Sequence, residues 1–253
     1  MFDPMKVVAF IPARSGSKRL PNKNIKSFFG HPLLAYTVRA AIDSCVFDSV
    51  ICATDSKLYA DIAKYYGAEA PFLRPAEIST DESPDIEWVT WMLRALKESG
   101  HDYEYFSILR PTSPFRLPET IRNAWEVISS DRDADSLRAI EMCMQHPGKM
   151  WVVRGKRMLP LMPLTNGFTP WHSCQYATLP EIYCQNASLE IARSRIALEQ
   201  NTIAGEAIIP FISKGLEGFD INKHEDWFLA EQYVAKSEVL LPEINKPPYQ
   251  PKS

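Results

Sequence analysis

The stretch that most constrains this chain is Ile11-Pro12-Ala13-Arg14-Ser15-Gly16-Ser17-Lys18-Arg19-Leu20-Pro21-Asn22-Lys23-Asn24. It follows the apolar run Val7-Val8-Ala9-Phe10, which reads as a buried first strand. It precedes Leu33-Leu34-Ala35-Tyr36-Thr37-Val38, which reads as the start of a helix. A strand–loop–helix unit at the start of an α/β protein sets its loop outside the carboxyl end of the strand, where such folds hold phosphates. Arg14, Lys18, Arg19, Lys23 and Lys26 crowd into this one connection, although the whole chain carries a formal net charge of −3. Cations gathered on a slightly acidic chain point to a polyanionic ligand rather than to a basic surface. Ser15, Gly16 and Ser17 permit tight turns whose backbone N–H groups face phosphate oxygens.

The loop has neither the Gly-Lys-Ser/Thr ending of a P-loop nor a Gly-x-Gly-x-x-Gly. The competing reading is a solvated basic loop; cations spaced evenly straight after a buried strand favour the anion site. Arg14, Ser17, Lys18, Lys23 and Asn24 fall on the pattern Ala-Arg-x-x-Ser-Lys-x-x-x-x-Lys-Asn, so the stretch resembles the N-terminal signature of the acylneuraminate (CMP-sialic acid) cytidylyltransferases. The resemblance implies a loop wrapped round the triphosphate of CTP, with Arg14 and Lys23 as the catalytic cations and Lys23 near the reacting phosphate.

Two further segments are similar to that family. Phe72-Leu73-Arg74-Pro75-Ala76-Glu77, followed by Ser79, Asp81 and Ser83, resembles its cytosine-recognition stretch. Cytosine offers a carbonyl and a ring nitrogen as acceptors and an amine as donor. Arg74 can only donate and suits the carbonyl side, while Ser83 can do either. Ile108-Leu109-Arg110-Pro111-Thr112-Ser113-Pro114-Phe115-Arg116 resembles Leu-x-Pro-Thr-Ser-Pro-Leu-Arg, a strand end opening over the active site. Taken alone, each is an ordinary proline-capped turn; three in order make the match specific.

Gly218-Phe219-Asp220-Ile221-Asn222 is similar to a late Ile-Asp-Ile-Asp segment whose two aspartates help hold Mg²⁺ on the phosphates. Residues two apart in an extended segment share a side, so Asp220 and Asn222 can face one ion. Asparagine offers a hard carbonyl oxygen without charge. The resemblance thus implies Mg²⁺ (or Mn²⁺) held mainly by Asp220 and phosphate oxygens. The other open reading is that both residues cap a helix starting near Lys223.

The acceptor half departs further. Where the family has Arg-Gln-Asp-Leu-Pro and then Asn-Gly-Ala-Ile-Tyr, this chain has Tyr176-Ala177-Thr178-Leu179-Pro180 and then Asn186-Ala187-Ser188-Leu189-Glu190. Tyr176 replaces the expected arginine and Glu190 the tyrosine near the sugar, while Lys149 stands where relatives have a lysine near the sugar carboxylate. The acceptor contacts implied are Arg110, Ser113, Lys149, Tyr176, Gln185 and Asn186. The pattern is that of the same reaction on a different acid.

Alternating elements make this an α/β chain, and the resemblance implies a three-layer, Rossmann-like, mostly parallel sheet of the nucleotide-diphospho-sugar transferase type. Strands are expected at 49–54, 105–109, 136–140 and 207–211. Helices are expected at 58–66, 87–96, 118–128 and 225–237, with 188–197 a helix or turn. Trp88, Trp91, Met92 and Leu96 form one helical stripe, read as core. Residues 1–253 are expected as one cytidylyltransferase domain. Within it, 145–180 reads as an inserted ribbon, which in the resembled family packs across a homodimer, and 242–253 as a proline-rich, irregular or mobile tail.

At 45% hydrophobic residues, 253 positions can bury one substantial core. Five scattered cysteines (45, 52, 143, 174, 184) lack metal-ligand spacing and suit a reducing compartment. Met1-Phe2-Asp3-Pro4-Met5-Lys6 has no apolar signal core, and no apolar run reaches spanning length. A cytoplasmic protein is therefore expected, with no membrane partner. Nor is there an aromatic-interleaved basic patch for nucleic acid, so CTP and an acidic sugar are the expected partners.

The implied reaction is attack of an acidic keto-sugar's anomeric hydroxyl on the α-phosphorus of CTP, giving a CMP-sugar and pyrophosphate. Such transfer needs positioning and charge neutralisation rather than an enzyme nucleophile. Open alternatives are a cytidylyltransferase for a deoxy-octulosonate or phosphonate, a glycosyltransferase (against which no Asp-x-Asp follows an early central strand), and a non-catalytic CTP-binding protein.

Overall fold

A computed structural model describes residues 5–251. The reading of Met1–Pro4 as free of a signal core lies outside those residues. Chain order is β1 (Val7–Pro12), α1 (Leu33–Ser44), β2 (Ser49–Ala53), α2 (Lys57–Tyr66), α3 (Asp85–Glu98), β3 (Tyr105–Ile108), α4 (Pro118–Ser130), β4 (Ser136–Met142), β5 (Tyr183–Arg193), α5 (Ser194–Gln200), β6 (Ile208–Ile212) and α6 (His224–Ala235). The six strands form one sheet in the order β6-β4-β5-β3-β1-β2. It is mostly parallel: β1 runs parallel to both β2 and β3, whereas β5 lies antiparallel to β3.

Alternation along β1 builds the layers. Val7, Ala9 and Ile11 join a core cluster with Leu34, Val38, Tyr59, Tyr66 and Ile121, from α1, α2 and α4. Val8 and Phe10 join Trp88, Val89, Met92 and Leu96 of α3, together with Ile196 of α5. Helices therefore cover both faces of the sheet, as continuous apolar parallel strands require. The aromatic stripe on α3 is core: Trp88 stacks edge-on against Phe10 at 5.9 Å, and Met92 is fully buried. The Ser56 side chain caps α2 by accepting from Tyr59 N–H, and Gly67 closes it at φ +107°.

One expectation is corrected. Residues 188–193 are strand, not helix or turn, and the helix begins at Ser194. Ala187, Ser188 and Ala192 dilute the apolar signal, but Leu189 and Ile191 point into one layer and Ala192 into the other, a period of two. The proline-rich tail is irregular but anchored. Tyr249 stacks on Tyr65 at 5.5 Å, its N–H donates to Tyr66 Oη, and Tyr65 Oη donates to the Pro247 carbonyl.

The chain divides into two compact units, one from the described residues up to Ala139 with those from Asn186 onward, the other Ile140–Gln185. The second contains two antiparallel pairs, Trp151–Arg154 with Arg157–Pro160 and Thr165–Asn166 with Thr169–Pro170. His146 is buried there: its Nδ1 accepts from Gly148 N–H, so Nε2 carries the proton donated to the Pro180 carbonyl. No helix of the described residues is long and apolar enough to cross a membrane.

Candidate active site

In the larger unit the carboxyl end of β1 opens on a cavity of about 450 Å³. The loop after β1 is pinned from beneath, because Ser15 gives both its N–H and its hydroxyl to the Asp55 carboxylate, at 2.8 Å each. Asn22 turns left-handed at φ 55°, and a short turn, Lys23–Ile25, then aims Lys23 inward. Asn24 is buried and donates to the Arg14 carbonyl, so it shapes the loop on which Arg14 rides.

Lys23 is the hub of the charged wall. Its Nζ donates to the Ile221 carbonyl at 2.6 Å and to Asn222 Oδ1 at 3.4 Å. Burial lowers its pKa below the ordinary 10.5, with Asp220 working against that shift. Arg14 and Lys18 both pair with Asp81, Lys18 at 2.6 Å. Their ion pairs hold the Asp81 carboxyl below its usual range.

On another wall Arg74 is buried with its guanidinium 5.0 Å over the Trp88 ring. It donates to the Ile78 carbonyl, and among the described residues its Nε has no partner. Burial depresses its pKa to about 10. Trp88 Nε1–H donates to one Asp85 oxygen at 2.7 Å, and Arg110 donates to the other at 2.5 Å. Burial works to raise the Asp85 pKa, but Arg110 overrides it and keeps the carboxyl low. Ser83 is held by Thr80 and the Glu77 carbonyl.

Arg14, Ser17, Lys23, Asn24, Arg74, Ser83, Arg110, Asp220 and Asn222 all line this cavity, and Lys18 lines an adjoining one. Five cationic side chains against three carboxylates leave it net positive. The lining also includes Arg19, Asp81, Asp85 and Trp88, which the motifs did not single out as site residues. Arg19 was legible as a cation of the loop. Asp85 had no signal beyond its place after Pro84.

Asp226 caps α6, accepting from the N–H groups of Asn222 and Lys223 at 2.9 and 3.0 Å. The capping reading of Asp220 and Asn222 therefore falls. Asp220 accepts from the Asn222 amide through Oδ2, while its Oδ1 is buried and lacks a hydrogen-bond partner among the described residues. A buried carboxylate oxygen without a partner, on a residue that lines the cavity, fits a hard divalent cation completed by ligand oxygens. Among the described residues no group of three or more His, Cys, Asp or Glu forms a self-sufficient metal cage.

The remaining candidates lie elsewhere. Ser113 is buried beside the cavity wall, its N–H donating to the Arg110 carbonyl. The Asn186 amide is engaged by Ser213 and Ser188. Lys149, Tyr176 and Gln185 belong to the second unit. There Lys149 donates to the His172 and Cys174 carbonyls and sits 5.2 Å over the Tyr176 ring. Gln185 is exposed.

A net-positive cleft of about 450 Å³ at the end of β1 suits a polyanionic ligand. Residues 8–146 match the cytidylyltransferase family. The chain belongs to that family. This cytidylyltransferase is 32% identical over 238 residues to the CMP-N,N'-diacetyllegionaminic acid synthase of Legionella pneumophila, covering 94% of this chain and all of that one. It is 49% identical to an N-acylneuraminate cytidylyltransferase of Escherichia coli over 111 residues, 44% of this chain and 25% of the relative. It is 35% identical to a pseudaminic acid cytidylyltransferase of Campylobacter jejuni over 122 residues, 48% and 53% of the two chains. The solved structure of a CMP:2-keto-3-deoxy-manno-octonic acid synthetase with CTP superposes with a TM-score of 0.68 at 14% identity, over 92% of this chain and 99% of that one. At that identity the likeness speaks for the fold.

Proposed function

We propose that this cytidylyltransferase moves CMP from CTP to the anomeric hydroxyl of a nonulosonic acid and releases pyrophosphate. One observation carries the acceptor class. The match to the diacetyllegionaminic acid synthase runs the whole length of that relative, whereas the N-acylneuraminate relative from Escherichia coli aligns over 111 residues. A legionaminate-type acid is accordingly the first acceptor to test.

In this reading Arg14, Ser17, Lys18 and Lys23 embrace the triphosphate, and Asn24 keeps the loop in shape. Arg74, stacked on Trp88, meets the acceptor edge of cytosine, with Ser83 beside it. The acceptor hydroxyl gives up its proton to solvent and bonds to the α-phosphorus as the bond from that phosphorus to the bridging oxygen of the β-phosphate breaks, so negative charge grows on the leaving pyrophosphate. Lys23 and Arg14 offset that charge from fixed positions, which costs no reorganisation during the step. Asp220, with the neutral Asn222 oxygen, would hold Mg²⁺ or Mn²⁺, which when bound supplies further positive charge at the phosphates. Arg110 and Ser113 serve the acceptor side, and Lys149, Tyr176, Gln185 and Asn186 are judged by substitution.

We further infer a cytoplasmic homodimer built through Ile140–Gln185, where Met144, Val153 and Phe168 stand exposed. Light scattering on a purified sample tests the dimer. The deciding assay is pyrophosphate release with CTP and Mg²⁺ over a panel of nonulosonic acids and a deoxy-octulosonate, with the other three nucleoside triphosphates as controls. Release with CTP and one nonulosonic acid supports the reading; CTP binding without release on any acid supports a binding protein instead.

A further inference from the structure

From the cavity wall inward four charged side chains alternate in sign: Asp85 and Arg110, which line it, then Glu190 and Arg138 behind them. Arg110 Nη2 donates to Asp85 Oδ2 at 2.5 Å and to Glu190 Oε1 at 3.3 Å. The second oxygen of Glu190 accepts from Arg138 Nη1 at 2.5 Å. Glu190 is 4% exposed and sits on β5 opposite Ile108, two residues before Arg110 in sequence. A carboxylate this deep persists where both its oxygens are paired, and here they are.

Arg110 differs from the loop cations in two ways. Its charge is matched by two carboxylates, and one nitrogen, Nη2, carries both contacts. Among the described residues Nη1 and Nε make no hydrogen bond, and Arg110 lines the cavity with Ala187. A further carboxylate set against Arg110 would meet Asp85 and Glu190 as like charges. An uncharged oxygen meets no such opposition and still receives a charge-assisted hydrogen bond.

We propose that Glu190 is a positioning residue for acceptor choice: backed by Arg138, and together with Asp85, it fixes Arg110 so that the free edge of the guanidinium donates to an uncharged oxygen of the acceptor, an amide carbonyl or a hydroxyl. This rests on the proposed function, in which the triphosphate takes the wall of Lys23 and Asp220 and the base takes that of Arg74 and Trp88. The wall of Arg110 and Ala187 is then left for the acceptor. The acid group of the acceptor is bound elsewhere.

The test is steady-state pyrophosphate release by Glu190→Gln, with the acid and CTP varied separately. Two acids are compared, one bearing an acylamino group and its counterpart with a hydroxyl in that place. Glu190→Gln is expected to raise the KM for the preferred acid by about tenfold, to narrow the preference between the two acids, and to leave the KM for CTP in place. Glu190→Asp should recover part of the loss. Because a buried pair is broken, CTP binding by calorimetry verifies that the variant is folded. Arg138→Gln, which loosens Glu190 from behind and does not line the cavity, should move the acid KM in the same direction by less. A rise in the KM for CTP, equal rises for both substrates, or an unchanged preference between the acids overturns the proposal. Wild-type enzyme without release on any acid overturns the functional reading itself, a result separate from the variant ratios.

Discussion

Lys23 Nζ lies 2.6 Å from the carbonyl oxygen of Ile221 and 3.4 Å from Asn222 Oδ1, across nearly 200 residues of sequence. One ammonium thus joins the loop after the first strand to the segment before the last helix. The backbone carbonyl holds it in place without cancelling its charge. Removing this donor by Lys23→Ala should cut kcat by about a hundred- to a thousandfold, the usual cost of one preorganised charge donor. Since Asn222 and Ile221 keep their other bonds, the melting temperature should change little. Retained turnover would end the case for Lys23. Because burial lowers its pKa, the ammonium is lost on the alkaline side before pH 10.5, and the alkaline limb of kcat/KM belongs below that value.

Asp81 occupies two cations that a triphosphate would claim. It pairs with Arg14 and Lys18, which both line the cavity adjoining the main one. Replacing it with asparagine should lower the KM for CTP by about two- to fivefold, the worth of an exposed ion pair. The gain should fade in high salt, where such pairs are screened. The Asp81 pKa lies below its ordinary 3.8, so the carboxylate stays charged at every pH above that value. Its effect on the KM is therefore flat between neutral and mildly acidic pH. A higher KM for CTP in Asp81→Asn would mean that Asp81 shapes the loop rather than competing for it.

As the proposed holders of the metal, Asp220 and Asn222 are a lopsided pair, with one carboxylate oxygen unpartnered and one amide already engaged with Lys23 and Asp220. Asn222→Asp adds a second charge at this point. The Mg²⁺ concentration for half-maximal activity should then fall by about tenfold. Asp220→Asn should raise it, and no activity should survive chelation in either variant. A metal titration of pyrophosphate release reads all three.

The lining of the cleft after β1 was legible because its residues are local. Arg14 to Asn24 sit in one loop, and residue types at fixed offsets within a turn carry their geometry with them. The segments at Arg74, Arg110 and Asp220 were found the same way, each a short run between elements, with Arg110 directly after β3. What escaped was pairing across the sheet. Nothing in the order Asn186-Ala187-Ser188-Leu189-Glu190 says that Glu190 meets Arg110, 80 positions away, or that Arg138 stands behind it. The extended state of 188–193 was hidden for a related reason: its neighbours in the sheet, not its small residues, make it a strand. The tail escaped because its anchor is a stack of Tyr249 on Tyr65, a contact that composition cannot express.

Gly205 carries a prediction about stability. Its φ is +70°, and a Cβ there would stand 2.4 Å from the Cβ of Asp135. Asp135 in turn accepts from the N–H groups of Glu206 and Ala207 and from Arg195, tying the turn before β6 to the start of β4. Gly205→Ala must therefore meet both a left-handed backbone and a backing residue with no room to move. It should cost about 2 kcal/mol or more, read as a lower denaturant midpoint at unchanged slope. The Asp135 carboxyl is held below 3.8 by the Glu206 and Ala207 N–H groups. Its contribution is thus complete above that pH and is lost as the pH falls through the depressed value. Asp135→Asn should weaken the protein at neutral pH and flatten the acid limb of its stability profile. Equal acid sensitivity in the variant and the wild type would place the acid-labile group elsewhere.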